Sequence, residues 1–138
     1  MTQYEVRKYQ EVDKDAILSF MSEVISPDEI DLKVVQNACV VFEGEKVVGM
    51  VSYEDAEDVG VIRYFIYNHY SLPDLLVNMF FSLYAEAKTS GVKRLVALVA
   101  NPYAFQLFEL LGFNEVTHKE DLTQVVEQDN ATVMSISL

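Results

Sequence analysis

The segment Asn101 to Phe113, Asn-Pro-Tyr-Ala-Phe-Gln-Leu-Phe-Glu-Leu-Leu-Gly-Phe, leaves this chain few choices of local structure. It follows an apolar run, Arg94 to Ala100, of strand length. Asn101 is of the residue type that caps a helix, and Pro102 suits the first turn, where its missing N–H would have had no partner. Ala104, Leu107, Phe108 and Leu111 then recur at helical spacing and make one oily stripe. Gly112 can take the left-handed conformation that ends a helix, and Phe113 can fold back onto the stripe. The spacing predicts a strand, a capped helix, and a sharp return to the core.

At 138 residues the chain has room for one domain, 1–138, with a proper core. Half of it is apolar, with 8 Phe and 8 Tyr, which argues for a folded globule rather than a disordered acidic chain. No apolar run reaches the roughly 20 residues that span a bilayer. Met-Thr-Gln-Tyr-Glu lacks the basic start and oily centre of a secretory signal, so the cytoplasm is the expected location. The single cysteine, Cys39, rules out an intrachain disulfide and a cysteine-built metal cage, and no metal is expected. A formal charge of −12 repels nucleic acid and anionic membranes, and attracts a cationic small molecule or basic peptide.

Tyr4 to Tyr9 reads as a first strand. Asp13 or Asp15 can cap a helix with Ile17, Leu18, Met21, Val24 and Ile25 on one side. Ser26-Pro27-Asp28 breaks it, and Asp31 to Asn37 reads as a short second helix. Cys39 to Phe42 and Val47 to Tyr53 are apolar runs joined by Glu43-Gly44-Glu45-Lys46, a hairpin signal. Val59 to Tyr67 is a third run. Pro73 opens a helix whose stripe is Leu75, Leu76, Met79, Phe80, Leu83, Tyr84 and Ala87, closed by Ser90-Gly91. A polar stretch, Thr117 to Asn130, precedes a last strand, Ala131 to Leu138. This order predicts an α+β domain, a mixed, mostly antiparallel sheet with helices on both faces.

The unit Asn101, Ala104, Phe108, Gly112, Phe113 resembles the last conserved segment of the GCN5-related N-acetyltransferases, the GNAT superfamily. Lys46 to Val51 is similar to its turn-and-strand segment, and Val133 to Ile136 to its final strand. The element order is similar throughout. The resemblance implies the GNAT (acyl-CoA N-acyltransferase) fold, acetyl-CoA as cofactor, and acyl transfer to an amine. It also admits a homodimer, since an exposed final strand often pairs in this family.

In that family the acetyl-CoA pyrophosphate sits on a loop before the third helix, with the pattern Arg or Gln, two residues, Gly, one residue, Gly or Ala. Small residues let the backbone approach, and free N–H groups point at the anion. Counted without gaps, the equivalents here are Ser71, Asp74 and Leu76. Ser71 lacks the phosphate-binding fork, Asp74 adds a negative charge, and Leu76 adds bulk. The remaining cofactor contacts implied are Leu75, Asn101, Ala104 and Phe108, with binding weakened or lost. Pro73, Asp74, Leu75 and Leu76 are equally an ordinary first turn and core, and Asn101 equally a plain cap.

The family's usual acid is a Tyr where Phe108 stands, and a phenyl ring has no proton to donate. No carboxylate lies between Val59 and Tyr70. His69 and Tyr67 are the catalytic candidates, with Tyr70 and the acidic Glu54, Asp55, Glu57 and Asp58 beside them. His69 is equally a surface residue, and His118 lies in a charged, solvated run. The run Arg63 to Tyr70 can line a cleft or belong to a sheet packed on one side. Two functions stay open: an acetyl-CoA-dependent N-acetyltransferase, and a non-catalytic GNAT-fold module that binds a partner.

Overall fold

The computed structural model describes residues 4–67, 73–116 and 132–138. Strand β1 (Tyr4–Lys8) is followed by helices α1 (Lys14–Met21) and α2 (Leu32–Val35). Strands β2 (Cys39–Glu43), β3 (Lys46–Ala56) and β4 (Val59–Tyr67) come next. Helix α3 (Pro73–Thr89), strand β5 (Arg94–Val99), helix α4 (Pro102–Leu110), β6 (Asn114–Glu115) and β7 (Thr132–Ser137) complete the described chain. One sheet runs in the order β1-β2-β3-β4-β5-β7-β6, and only β4 and β5 pair in parallel. The expected mixed, mostly antiparallel α+β sheet is the observed one.

Both faces are covered, and β2 shows why its sequence is apolar without interruption. Cys39 and Val41 face the core shared with α3 and α4, whereas Val40 and Phe42 face the core of α1 and α2. A strand buried on both sides has no polar alternation to display. Helix α3 lies across β1, β2 and β3. Its expected stripe is the buried one: Leu76, Met79, Phe80, Leu83 and Ala87 are inside, with Leu75 and Tyr84 half-buried.

Two local expectations need correction. Helix α1 ends at Met21, so Val24 is 66% exposed and lies outside the stripe. Asp13 does not cap α1 with its side chain, and Asp15 lies inside the helix. The Asp13 carboxylate instead meets Arg7 Nη2 at 2.9 Å, and the Arg7 guanidinium sits 4.1 Å above the Phe42 ring. That pair fastens the edge strand β1 to the start of α1, which a local capping rule cannot anticipate. The final strand β7 also has a partner on its outer side, β6, through Asn114–Ser135 and Glu115–Met134.

Two hairpins turn in two residues, between Glu43 and Lys46 and between Ala56 and Val59. Each has one central residue at positive φ, Gly44 at 62° and Glu57 at 62°. Glycine takes that conformation freely, whereas for an L side chain it costs about 1–2 kcal/mol. Glu57→Gly should therefore stabilise the protein by about 0.5–1 kcal/mol after the added unfolded-state entropy, and Gly44→Ala should destabilise it by about 1 kcal/mol or more. Urea unfolding of both variants checks the opposite signs.

Leu76 is 9% exposed and belongs to the α3 core, so Leu76→Gly should cost about 3 kcal/mol from lost packing and added helix flexibility. An unchanged melting temperature would contradict its burial.

Burial, with a smaller push from the Glu86 carboxylate, raises the Cys39 thiol from 9.0 to about 12. A thiol whose pKa rises on folding contributes stability that is complete below its unfolded value and disappears as pH climbs from there toward the folded one. Stability should therefore fall above pH 9 by at most about 1.4 kcal/mol per pH unit. Cys39→Ala should flatten this decline between about pH 9 and 10, below the titration of ordinary tyrosines. Burial raises Tyr53 and Tyr84 as well, so their losses come later on the same alkaline limb. Urea midpoints across that range measure the effect.

Candidate functional site

Strands β4 and β5 pair only through Val59–Arg94, Gly60–Leu95 and Val61–Val96. Beyond these residues β4 continues to Tyr67 and β5 to Val99, held on their outer sides by β3 and β7. The sheet therefore opens into a wedge whose two inner edges have no ladder between them.

The bend comes from a bulge in β4. Ser52 pairs with Arg63 and Met50 with Ile66, so Val51 stands opposite both Tyr64 and Phe65. Tyr64 sits at φ 48°, a left-handed conformation that costs a non-glycine residue about 1–2 kcal/mol. Such a bulge bends its strand and strengthens the local twist. The Tyr64 hydroxyl accepts the Asp31 N–H at 2.8 Å and donates to the Glu29 carbonyl at 3.0 Å, which offsets part of the strain.

Aromatic rings fill the wedge on the α3 and α4 side. Phe65 lies 5.0 Å from Phe80 and 5.8 Å from Phe108, both edge-to-face. Phe108 is also 5.0 Å from Phe113, and Tyr67 is 5.0 Å from Phe65. Phe113 folds back as its spacing predicts, its N–H bonding the Phe108 carbonyl at 2.9 Å. Gly112 stands at φ 100°, and a Cβ there would meet Ile136 at 3.1 Å. The run Arg63 to Tyr67 packs on both faces, not one: Phe65 joins the α3 core, and Tyr64 and Ile66 join the α1 and α2 core.

Asn101 caps α4, its side-chain oxygen accepting the Ala104 N–H at 2.9 Å. Around it, Val99, Ala100, Pro102, Phe105, Gln106 and Thr132 line a cavity of about 340 Å3. Ala104 is half-buried against the core, and Phe108 is 6% exposed. At the first turn of α3, Asp74 is exposed and Leu75 half-buried. Leu76 turns its side chain into the core, so its bulk is not in front of the helix end. Tyr67 is exposed at the end of β4. His69, Tyr70, Ser71 and His118 lie outside the described residues. Glu54 pairs with Arg63 at 3.0 Å, and Asp55, Glu57 and Asp58 are exposed around that hairpin.

The wedge brings Tyr67, Phe65 and Phe108 together through their rings, with Asn101 beside the cavity at the end of β5. The residue that sequence reasoning leaves unassigned is Tyr64, whose strained backbone shapes the opening. A tyrosine in an aromatic strand carries no local signal for a left-handed turn. Among the described residues no three His, Cys, Asp or Glu side chains converge as a metal site needs. No described helix is long and apolar enough to cross a membrane.

No protein-family model matches the sequence, and no curated protein matches it. Solved structures do match in shape. An acetyltransferase from Streptococcus agalactiae superposes with a TM-score of 0.75 at 18% identity, over 98% of each chain. PaiA N-acetyltransferase from Thermoplasma acidophilum, solved with coenzyme A, gives 0.69 at 11% identity over 99% of each chain. The ribosomal-protein-S18-alanine N-acetyltransferase of Escherichia coli gives 0.68 at 16% identity, over 98% of this chain and 94% of that one. All three match this chain almost end to end. This chain has the fold of the GNAT acetyltransferases.

Proposed function

We propose that the protein is an acetyl-CoA-dependent N-acetyltransferase acting on an amine, with a weak cofactor site. The observation that carries this reading is the wedge between β4 and β5, with α4 starting at its rim. A linear ligand rich in amides, such as the pantetheine arm of coenzyme A, can pair with an open strand edge as an added strand would. When bound, the cofactor supplies an acyl group activated as a thioester. The chain supplies binding, orientation and proton handling. The oxygen of Asn101 is committed to its own helix, leaving the side-chain NH2 to donate. Phe108 holds its place in the ring cluster and offers no proton, so Tyr67 and His69 are the groups proposed to move protons.

The phosphate end fits less well. The first turn of α3 presents backbone N–H groups, with the exposed Asp74 carboxylate among them. The net charge of −12 adds a general repulsion for the same anion. A second reading, a non-catalytic module that binds a cationic small molecule or basic peptide, is favoured by the ring packing of Phe108 and by that acidity.

Calorimetric titration separates the two. A hydrogen bond to a charged group is worth about 1.5–3 kcal/mol, and about 1.4 kcal/mol is tenfold. Losing two phosphate contacts costs about two to four orders of magnitude, so acetyl-CoA should bind no tighter than about 100 μM. Asp74→Asn should tighten binding severalfold, and so should raising the salt from low ionic strength, because both reduce repulsion. A low-micromolar Kd would overturn the weak site, and no heat at millimolar acetyl-CoA would leave the binding module.

Phe108→Tyr tests the missing acid. General acid assistance is worth about 10²–10⁴-fold, so the variant should raise coenzyme A release with an amine panel at least tenfold over wild type. Background release in both proteins would favour the binding module.

A further inference from the structure

The segment Pro27–Asp31, between α1 and α2, is fastened to β4 by the Tyr64 hydroxyl. That oxygen accepts from Asp31 N–H at 2.8 Å and donates to the Glu29 carbonyl at 3.0 Å. The two backbone groups flank Ile30, which is extended at φ −89°, ψ 119°. The hydroxyl therefore stands in for the strand partner this short extended piece lacks. Asp31 also caps α2, its carboxylate accepting the Lys33 N–H at 3.0 Å. Tyr64 is at the same time the bulge residue, at φ 48°, whose bend turns β4 away from β5. One residue thus holds a loop with its side chain and a strand bend with its backbone. The loop bonds favour the left-handed backbone, and the left-handed backbone aims the ring at the loop.

We propose that Tyr64 is a positioning residue that makes the loop Pro27–Asp31 and the wedge-side half of β4, Arg63–Tyr67, one coupled unit. The placement of the loop then sets how far β4 stands from β5. Its bearing on acyl transfer rests on the acetyltransferase reading, but the coupling is a property of the free protein. The coupling runs through the strained backbone of residue 64: losing the loop bonds leaves that strain unopposed and loosens the wall, whereas a residue that takes the left-handed backbone without strain uncouples the two.

Hydrogen–deuterium exchange on the full chain without cofactor tests this. Tyr64→Phe keeps the ring and removes both loop bonds. Exchange should quicken at least tenfold at the Asp31 amide and also across Phe65–Tyr67, while Cys39–Glu43 keeps its wild-type protection. Tyr64→Gly accepts the left-handed backbone without strain. It should quicken exchange at Asp31 and leave Phe65–Tyr67 close to wild type. Pro27→Gly, which frees the loop from its other end, should quicken exchange across Phe65–Tyr67. Faster exchange at Asp31 with Phe65–Tyr67 unchanged in Tyr64→Phe would overturn the coupling. So would an equal rise in Cys39–Glu43, which would mean that Tyr64 only supports the core. A failed acetyl-CoA titration would leave this result untouched.

Discussion

A sheet that splits along its middle loses the ladder that would otherwise hold its halves together, and here edge-to-face rings take over. Phe80 is the hub, with ring centres 5.0 Å from Phe65, 5.8 Å from Phe108, 6.5 Å from Phe113 and 6.0 Å from Tyr84. Such pairs are worth about 0.5–1.5 kcal/mol each beyond the area they bury. They join β4 to α4 across the wedge, with α3 between. Tyr84 adds a directional tie, its hydroxyl donating to the Leu111 carbonyl at 2.8 Å where α4 ends. The opening can persist because hydrocarbon contact replaces hydrogen bonds along its floor.

That arrangement bears directly on Phe108. Where the family resemblance expects a tyrosine acid, this chain has a ring placed in contact with Phe65, Phe80 and Phe113. The ring holds the wedge open whether or not it carries a hydroxyl. Packing at this position therefore depends on the ring and not on a hydroxyl. The fold needs no hydroxyl at this position, and the shape is kept at 11–18% identity to solved acetyltransferases.

What the sequence made legible was local. Asn101 as a cap, Gly112 as a left-handed stop, Pro73 as a first-turn residue and the α3 stripe all follow from spacing within about a dozen residues, the reach of helical periodicity. The Glu43 to Lys46 hairpin was readable because Gly44 announces it, whereas Glu57 makes a similar turn with no glycine to mark it. The failures are non-local. Asp13 binds Arg7 on another element instead of its own helix end, and β6 is too short to show alternation. The bulge at Tyr64 is stabilised by bonds to residues 33 and 35 positions away. No window on the sequence contains both halves of that interaction.

The candidate site was legible for the same reason only in part. Local structure alone accounts for Asn101 as a cap, for Asp74 as a first-turn carboxylate favoured by the helix dipole, and for Leu76 as a core side chain. By the family resemblance they are also the positions expected to meet a cofactor. Two constraints at one position cannot be separated by residue type when one residue satisfies both. The structure separates them for Leu76, whose side chain is buried in the core and leaves the helix end clear. Asp74 is different, because its carboxylate is exposed at the helix end. Leu76 therefore cannot be the obstacle to an anion, and Asp74 is the described residue that opposes one.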